Sequence, residues 1–281
     1  MKYLLSAILF FTAIMQATAQ DAAMPNDSLN RLGIFETTTY QKFNSEFLER
    51  DFHIFVRVPP GYDATDQSYP VVYALDGDSL FPILSPQHLF VSFDEPAVPE
   101  AIIVGIAYGS FSPERGNHRR TDYSAPPLED GDPHGGGARF QRFLKFELMP
   151  SIERQFRIDP AKRILVGQSR SAHFTLFSAY TDPDLFWGRI ISNPPLTPNR
   201  DLFFAGETRP SANNANVFYA SAENDIPALR ADAMAWFAQW ENDEAPWRLK
   251  MQSFENETHA AGIANIYRAG MKWLFTNDDT E

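Results

Sequence analysis

A chain of 281 residues, 44% of them apolar, is long enough to bury one large core. It has no cysteine, which excludes a disulfide framework, a thiolate nucleophile and a cysteine-ligated metal. A net charge of −12 with no Lys/Arg-rich run argues against nucleic acid or an anionic membrane surface as partner.

The chain opens with Lys2, an apolar run "YLLSAILFFTAIM" and then "QATAQ", the layout of a secretory signal peptide. Ala17 and Ala19 fit the small-residue rule, so residues 1–19 are expected to be removed and the product to be periplasmic or secreted. The run is short for a membrane span, and no later segment has the apolar length of one, so no stable membrane insertion is expected after cleavage. Residues 20–40 read as a polar leader, and residues 41–281 as a single domain with neither repeats nor a linker.

"YQKFNSEF" and "DFHIFVRVPP" alternate apolar with polar residues and predict an antiparallel hairpin. "YPVVYALDG", "AIIVGIAY", "RILVGQ", "GRIISNP" and "NVFYASA" are nearly continuous apolar runs, as strands buried on both faces require. Helical patterns lie between and after them. In "RFQRFLKFELMPSIERQF" the residues Phe140, Phe143, Leu144, Leu148, Ile152 and Phe156 form one stripe, with a kink expected at Pro150. "PALRADAMAWFAQW" begins at Pro227, and "AGIANIYRAGMKWLF" closes the chain. The alternation predicts an α/β fold with a mostly parallel central sheet, an N-terminal antiparallel hairpin and helices on both faces. Residues 109–138, rich in Gly, Pro and charge, are expected to form a long loop over the ligand crevice at the carboxyl end of a strand.

"RILVGQSRSAHFTLF" (163–177) reads as strand, tight turn and helix, the setting of an α/β-hydrolase nucleophile elbow. Such a turn needs small residues two before and two after the serine, and Gly167 and Ser171 flank Ser169 at those positions. The competing possibility is an ordinary serine in a strand–helix connection. A hydroxyl becomes a nucleophile only beside a base. Of six histidines, His53 falls in a strand, His88, His118 and His134 in or near polar loops, and His173 just past the elbow. His259 alone follows a late strand, "WRLKMQSF", and precedes the last helix, where this fold keeps its base. The acid is expected after "NVFYASA", from Asp225 or alternatively Glu223. An oxyanion hole would use the N–H of Arg170 and one near Gly77 or Asp78.

These segments resemble the esterase D / putative esterase family of α/β-hydrolases, with its feruloyl esterases, siderophore esterases and mycolyltransferases. "FNSEFLERDFHIFVRVPPGYD" resembles the family's opening hairpin, "YPVVYALDGD" its next strand, and "RRTDY" its Arg-x-x-Asp-Tyr stretch. "FLKFELMPSIERQFRIDPAKRILVGQSRSAHFTLF" follows its helix, strand and elbow without a gap. The resemblance implies Ser169 as nucleophile and His259, in "NETHAAG", as base. Members commonly carry two glycines after the nucleophile, where this chain has Ser171 and Ala172.

"GDSL" at 77–80 offers a rival serine, Ser79, since "AEND" and "NETH" follow in the order of a GDSL-type esterase. Ala222 and Asn256 depart from that pattern. Arg115, Arg119 and Arg120 are candidates for an anionic substrate group, Arg119 and Arg120 foremost; the alternative is a pairing with Asp122 or another carboxylate that holds the loop. In "EDGDPHG" the Asp130/Asp132 spacing starts a calcium-loop pattern that Pro133 breaks, so no metal is expected. The reading is an exported serine ester hydrolase that acts on a small-molecule ester and needs no cofactor. An impaired scaffold that only binds, and an acyltransferase, are the alternatives.

Overall fold

The computed structural model describes residues 37–126, 135–197, 199–205, 215–242 and 244–276. The signal peptide, the leader up to residue 36, His134 and the Asp130/Asp132 stretch lie outside the described residues.

Thr38 to Ser45 form β1 and Arg50 to Arg57 form β2, an antiparallel hairpin running from the Thr38–Arg57 pair to Ser45–Arg50. β1 therefore begins inside the stretch read as leader, because Thr38, Thr39 and Tyr40 pair with Arg57, Val56 and Phe55. Next come β3 (Tyr69–Ala74), α1 (Gly77–Asp94) and β4 (Ile102–Ala107), then a four-residue α2 (Arg119–Asp122). α3 (Gly137–Phe143) continues through a π-helical turn (Leu144–Leu148) into α4 (Met149–Gln155). Pro150 has no N–H to donate to the preceding turn, and a widened turn before it absorbs the break without ending the helix.

The remaining order is β5 (Ile158–Gln168), α5 (Arg170–Thr181), β6 (Gly188–Ser192), α6 (Arg200–Ala205), β7 (Asn216–Asn224), α7 (Pro227–Asn242), β8 (Arg248–Thr258) and α8 (Ile263–Phe275). The eight strands form one sheet in the order β1-β2-β4-β3-β5-β6-β7-β8. From β4 to β8 every pairing is parallel; β2 joins β4 antiparallel. β3, β4 and β6 are buried along their whole length, which is why they read as unbroken apolar runs.

Successive residues of a strand feed opposite cores. Val71 and Tyr73 join Phe140, Phe174 and Trp236 on one face, while Val72 and Ala74 join Leu84, Ile266 and Trp273 on the other. Helices α3 to α5 and α7 thus cover one face, and α1 and α8 the other. α1 carries Pro82 and Pro86 in its interior, which hides it from sequence patterning; buried Leu80, Phe81, Leu84 and Val91 hold it on the sheet.

Arg189 of β6 is fully buried and fixes the far end of α5. Its guanidinium donates to the Ser178 hydroxyl and to the carbonyls of Ser178, Asp182, Pro183 and Phe186 at 2.8–3.2 Å. Burial pulls its pKa down to about 9, against the opposing pull of Asp182 and Asp184. Among the described residues no helix is long and apolar enough to cross a membrane.

Candidate active site

β3 and β5 are parallel neighbours whose paired ends, Ala74 and Val166, bring two tight turns side by side at the carboxyl edge of the sheet. Beyond β5 the chain turns at Ser169, with φ 58° and ψ −122°, and enters α5. A non-glycine residue there is strained by about 1–3 kcal/mol and must be held by its surroundings. Gly167 shows how tightly: a Cβ at that position would lie 2.5 Å from the Ser171 backbone and from the Thr175 hydroxyl. Ser171 is buried, and its hydroxyl accepts the Gln168 N–H and donates to the Gln168 carbonyl, both at 2.9 Å. The side chain that replaces the usual glycine thus ties the turn from inside.

The Ser169 hydroxyl lies 2.8 Å from His259 Nε2, and His259 Nδ1 lies 2.6 Å from Asp225 Oδ1. The Asp225 side chain is 1% exposed, and the same oxygen accepts the Ile226 N–H at 2.6 Å. A carboxylate on Nδ1 favours the tautomer whose free Nε2 accepts the serine proton. Of the two acids considered, Asp225 reaches the imidazole. Glu223 accepts the Asn256 N–H at 3.3 Å on the exposed side of the β7–β8 edge.

Two residues outside the predicted set hold the backbone of His259 in place. The His259 carbonyl accepts from Gln168 Nε2 at 2.6 Å and from Asn193 Nδ2 at 3.1 Å. Asn193 follows β6 with φ 51°, and its own Oδ1 accepts the Ala222 N–H at 2.7 Å. Its only sequence signal is an Asn at a strand end, a residue type that tolerates left-handed backbone.

Gly77 opens α1 so close to β4 that a Cβ would meet Ile106 N at 2.7 Å. The Asp78 carboxylate accepts the N–H groups of Tyr108 and Gly109 at 2.8 and 3.0 Å, fastening α1 to the end of β4. Burial raises the Asp78 pKa, and those two hydrogen bonds oppose the rise. The backbone N–H groups of Gly77, Asp78 and Arg170 have no acceptor among the described residues. Helix N-termini with free N–H groups suit a developing negative charge.

Arg119 spends its guanidinium on Asp76, bidentately, at 2.7 and 2.9 Å. Arg120 and Arg115 are exposed without a carboxylate partner among the described residues. Asp122 pairs with Arg50 and with the Tyr108 hydroxyl, so the pairing that holds this segment is not with its neighbouring arginines. Arg170 donates to the Ser124 hydroxyl at 3.0 Å; burial lowers its pKa, and the nearby Arg119 and Arg120 charges lower it further. A cleft of about 230 Å³ lies between the turns, lined by Asp76, Asp78, Ser79, Phe111, Asn117, Arg119 and Gln168.

The other histidines are elsewhere. His88, expected in or near a polar loop, is instead buried on α1 between the Tyr267 hydroxyl and the Pro99 carbonyl. His173 is buried in α5, bonded to Pro195 O at 2.7 Å and to the Ala125 N–H at 3.1 Å. His53 stacks on Tyr40 across β1 and β2, and His118 is exposed ahead of α2. The Ser79 hydroxyl donates to the Asp76 carbonyl at the start of α1, and no imidazole among the described residues bonds to it.

Residues 45–268 match the putative esterase family. The chain belongs to that family. Its fold is the α/β-hydrolase fold, with an N-terminal antiparallel hairpin on a mostly parallel sheet. The ferri-bacillibactin esterase BesA of Bacillus subtilis is 28% identical over 205 residues, 66% of this esterase-family chain and 70% of BesA. The apo-salmochelin esterase of Escherichia coli is 28% identical over 184 residues, 62% of this chain and 56% of that protein. Among solved structures, the BES protein from Bacillus cereus superposes with a TM-score of 0.73 at 23% identity, covering 87% of this chain and 97% of its own.

Proposed function

We propose that this chain is an exported serine ester hydrolase that works through an acyl-enzyme on Ser169. The observation that carries the reading is the unbroken relay from the Ser169 hydroxyl through His259 to Asp225, at 2.8 and 2.6 Å. His259 Nε2 takes the hydroxyl proton as Ser169 Oγ attacks the ester carbonyl carbon. Asp225, buried against Nδ1, stabilises the imidazolium that forms. The oxyanion of the tetrahedral intermediate is held by the Arg170 N–H and by an N–H of Gly77 or Asp78. Collapse breaks the ester bond, and His259 returns its proton to the departing alcohol. Water, deprotonated by the same imidazole, then attacks the acyl-serine and releases the acid. No step calls on a cofactor.

The relatives named above are siderophore esterases, which supports a small-molecule ester of that kind as substrate. Arg170, next to Ser169 in the chain, and Arg120 near it put positive charge on an otherwise acidic protein, suited to an ester that carries acidic groups. The signal-peptide layout of residues 1–19 supports export. The test is hydrolysis of an aryl ester and of a siderophore-type ester by the purified protein and two alanine variants. Ser169→Ala should abolish turnover and Ser79→Ala should retain it; the reverse result refutes the assignment.

A further inference from the structure

Asp76 stands where the N-cap of α1 stands and does not cap it. Its φ of 50° is left-handed, and its side chain makes no capping bond. An aspartate there ordinarily accepts the N–H of the second or third helical residue, here Asp78 or Ser79. Instead both carboxylate oxygens go to Arg119, Oδ1 to Nε at 2.7 Å and Oδ2 to Nη2 at 2.9 Å. The Asp76 N–H is also taken, by the Tyr123 hydroxyl at 3.2 Å. The N–H groups of Ser79 and Leu80 turn back to the Asp76 carbonyl. What remains is a pair of backbone donors, Gly77 and Asp78, with no acceptor among the described residues.

Arg119 and Tyr123 are the first and last residues of the Arg-x-x-Asp-Tyr stretch, and its Asp122 is clamped by Arg50 and the Tyr108 hydroxyl. Tyr123 is fully buried with its ring edge on Phe140. The whole segment is therefore anchored independently of α1 and can hold Asp76 in place. We propose that Arg119 and Tyr123 are positioning residues for the oxyanion hole. They draw the Asp76 carboxylate and N–H away from α1, so that its first donors stay open to the charge that develops on the substrate.

This rests on the reading of Ser169 as nucleophile, and it deepens that reading at the oxyanion side. Two effects act together. A loose Asp76 carboxylate would fold back onto the helix as an ordinary N-cap and occupy the donors. It would also place a negative charge beside a forming oxyanion, whereas the bidentate pair neutralises it. Lysine keeps the charge and loses the fork that fixes the carboxylate plane.

A role in substrate binding and a role in positioning predict different kinetics. The assay is steady-state hydrolysis of a neutral ester, p-nitrophenyl butyrate, by Arg119→Gln, Arg119→Lys, Asp76→Gly and the Asp76→Gly/Arg119→Gln double variant. Arg119→Gln should lower kcat about 100-fold with KM within about threefold, the scale of losing one oxyanion donor. Arg119→Lys should fall between it and the parent. The double variant should run at least about 10-fold faster than Arg119→Gln, because glycine adopts the left-handed turn and has no carboxylate to fold back onto the donors. A purely structural role for the ion pair gives no such recovery. An Arg119→Gln enzyme with unchanged kcat on the neutral ester, or a double variant no faster than it, overturns the proposal. Ser169→Ala, assayed alongside, separates the two failures. Activity retained there removes the nucleophile and this inference with it, whereas loss there with unimpaired Arg119 variants removes this inference alone.

Discussion

Acid should loosen this protein through two buried histidines that the proposed chemistry does not use. His88 is 0% exposed; burial, reinforced by the nearby Arg57 charge, drives its pKa down to about 3 despite its bond to Pro99 O. His173 is 1% exposed, and burial lowers it to about 4. In the unfolded chain both titrate near 6.5. Because the folded values are depressed, the unfolded state binds protons first. Each histidine therefore costs nothing above about pH 6.5 and destabilises the fold progressively as pH falls toward its folded value. At pH 4.5 the unfolded state has gained about two pK units per histidine, or about 3 kcal/mol each. Together that is a large part of the 5–15 kcal/mol of a typical domain. His88→Gln keeps a donor for Pro99 O and an acceptor for the Tyr267 hydroxyl and carries no titrating group. Urea unfolding followed by circular dichroism at pH 7 and pH 4.5 should show the parent losing about 3 kcal/mol more than His88→Gln over that interval. Equal losses in the two proteins would refute the reasoning.

Asp225→Ala should lower kcat by about 10³–10⁴-fold by freeing the imidazole tautomer, and Glu223→Ala should leave it within about threefold; aryl-ester kinetics check both. Arg189→Met should destabilise by about 3 kcal/mol or more, read as a fall in Tm, since four carbonyls and a hydroxyl lose their donor in a buried site. Ser171→Gly should cost about 1–2 kcal/mol in denaturant unfolding, because the Gln168 backbone bonds of that hydroxyl vanish and a glycine gains freedom in the unfolded chain.

The parallel sheet was legible because strands buried on both faces leave unbroken apolar runs. The hairpin was legible because Phe52, Ile54 and Val56 on one face are buried while Tyr40, Lys42 and Asn44 on the other are exposed. α1 was not, since two prolines mask a helix that packing against β4 supports. The elbow is legible through strand, small residue and helix in succession, whereas the bonds of the Ser171 hydroxyl to the Gln168 backbone appear only in the folded turn. Sequence leaves Asp225 and Glu223 open, for they are two residues apart where β7 ends, and only the fold, with a register shift between Ala222 and Asn224, brings Asp225 rather than Glu223 to His259. Gln168 carries no signal and Asn193 only that of an Asn at a strand end, because their task is to hold a backbone carbonyl that only the folded chain brings near. The partner of Arg119 lies 43 residues away, beyond the reach of local patterning.

The central claim is that Ser169 forms a covalent bond to substrate carbonyl carbon, and the most direct measurement is active-site labelling of the folded protein. Treatment with a fluorophosphonate, followed by intact-mass and peptide mass spectrometry, should give one adduct, on Ser169, that is lost in Ser169→Ala and kept in Ser79→Ala. An adduct on Ser79, or none on the folded protein, would contradict the account.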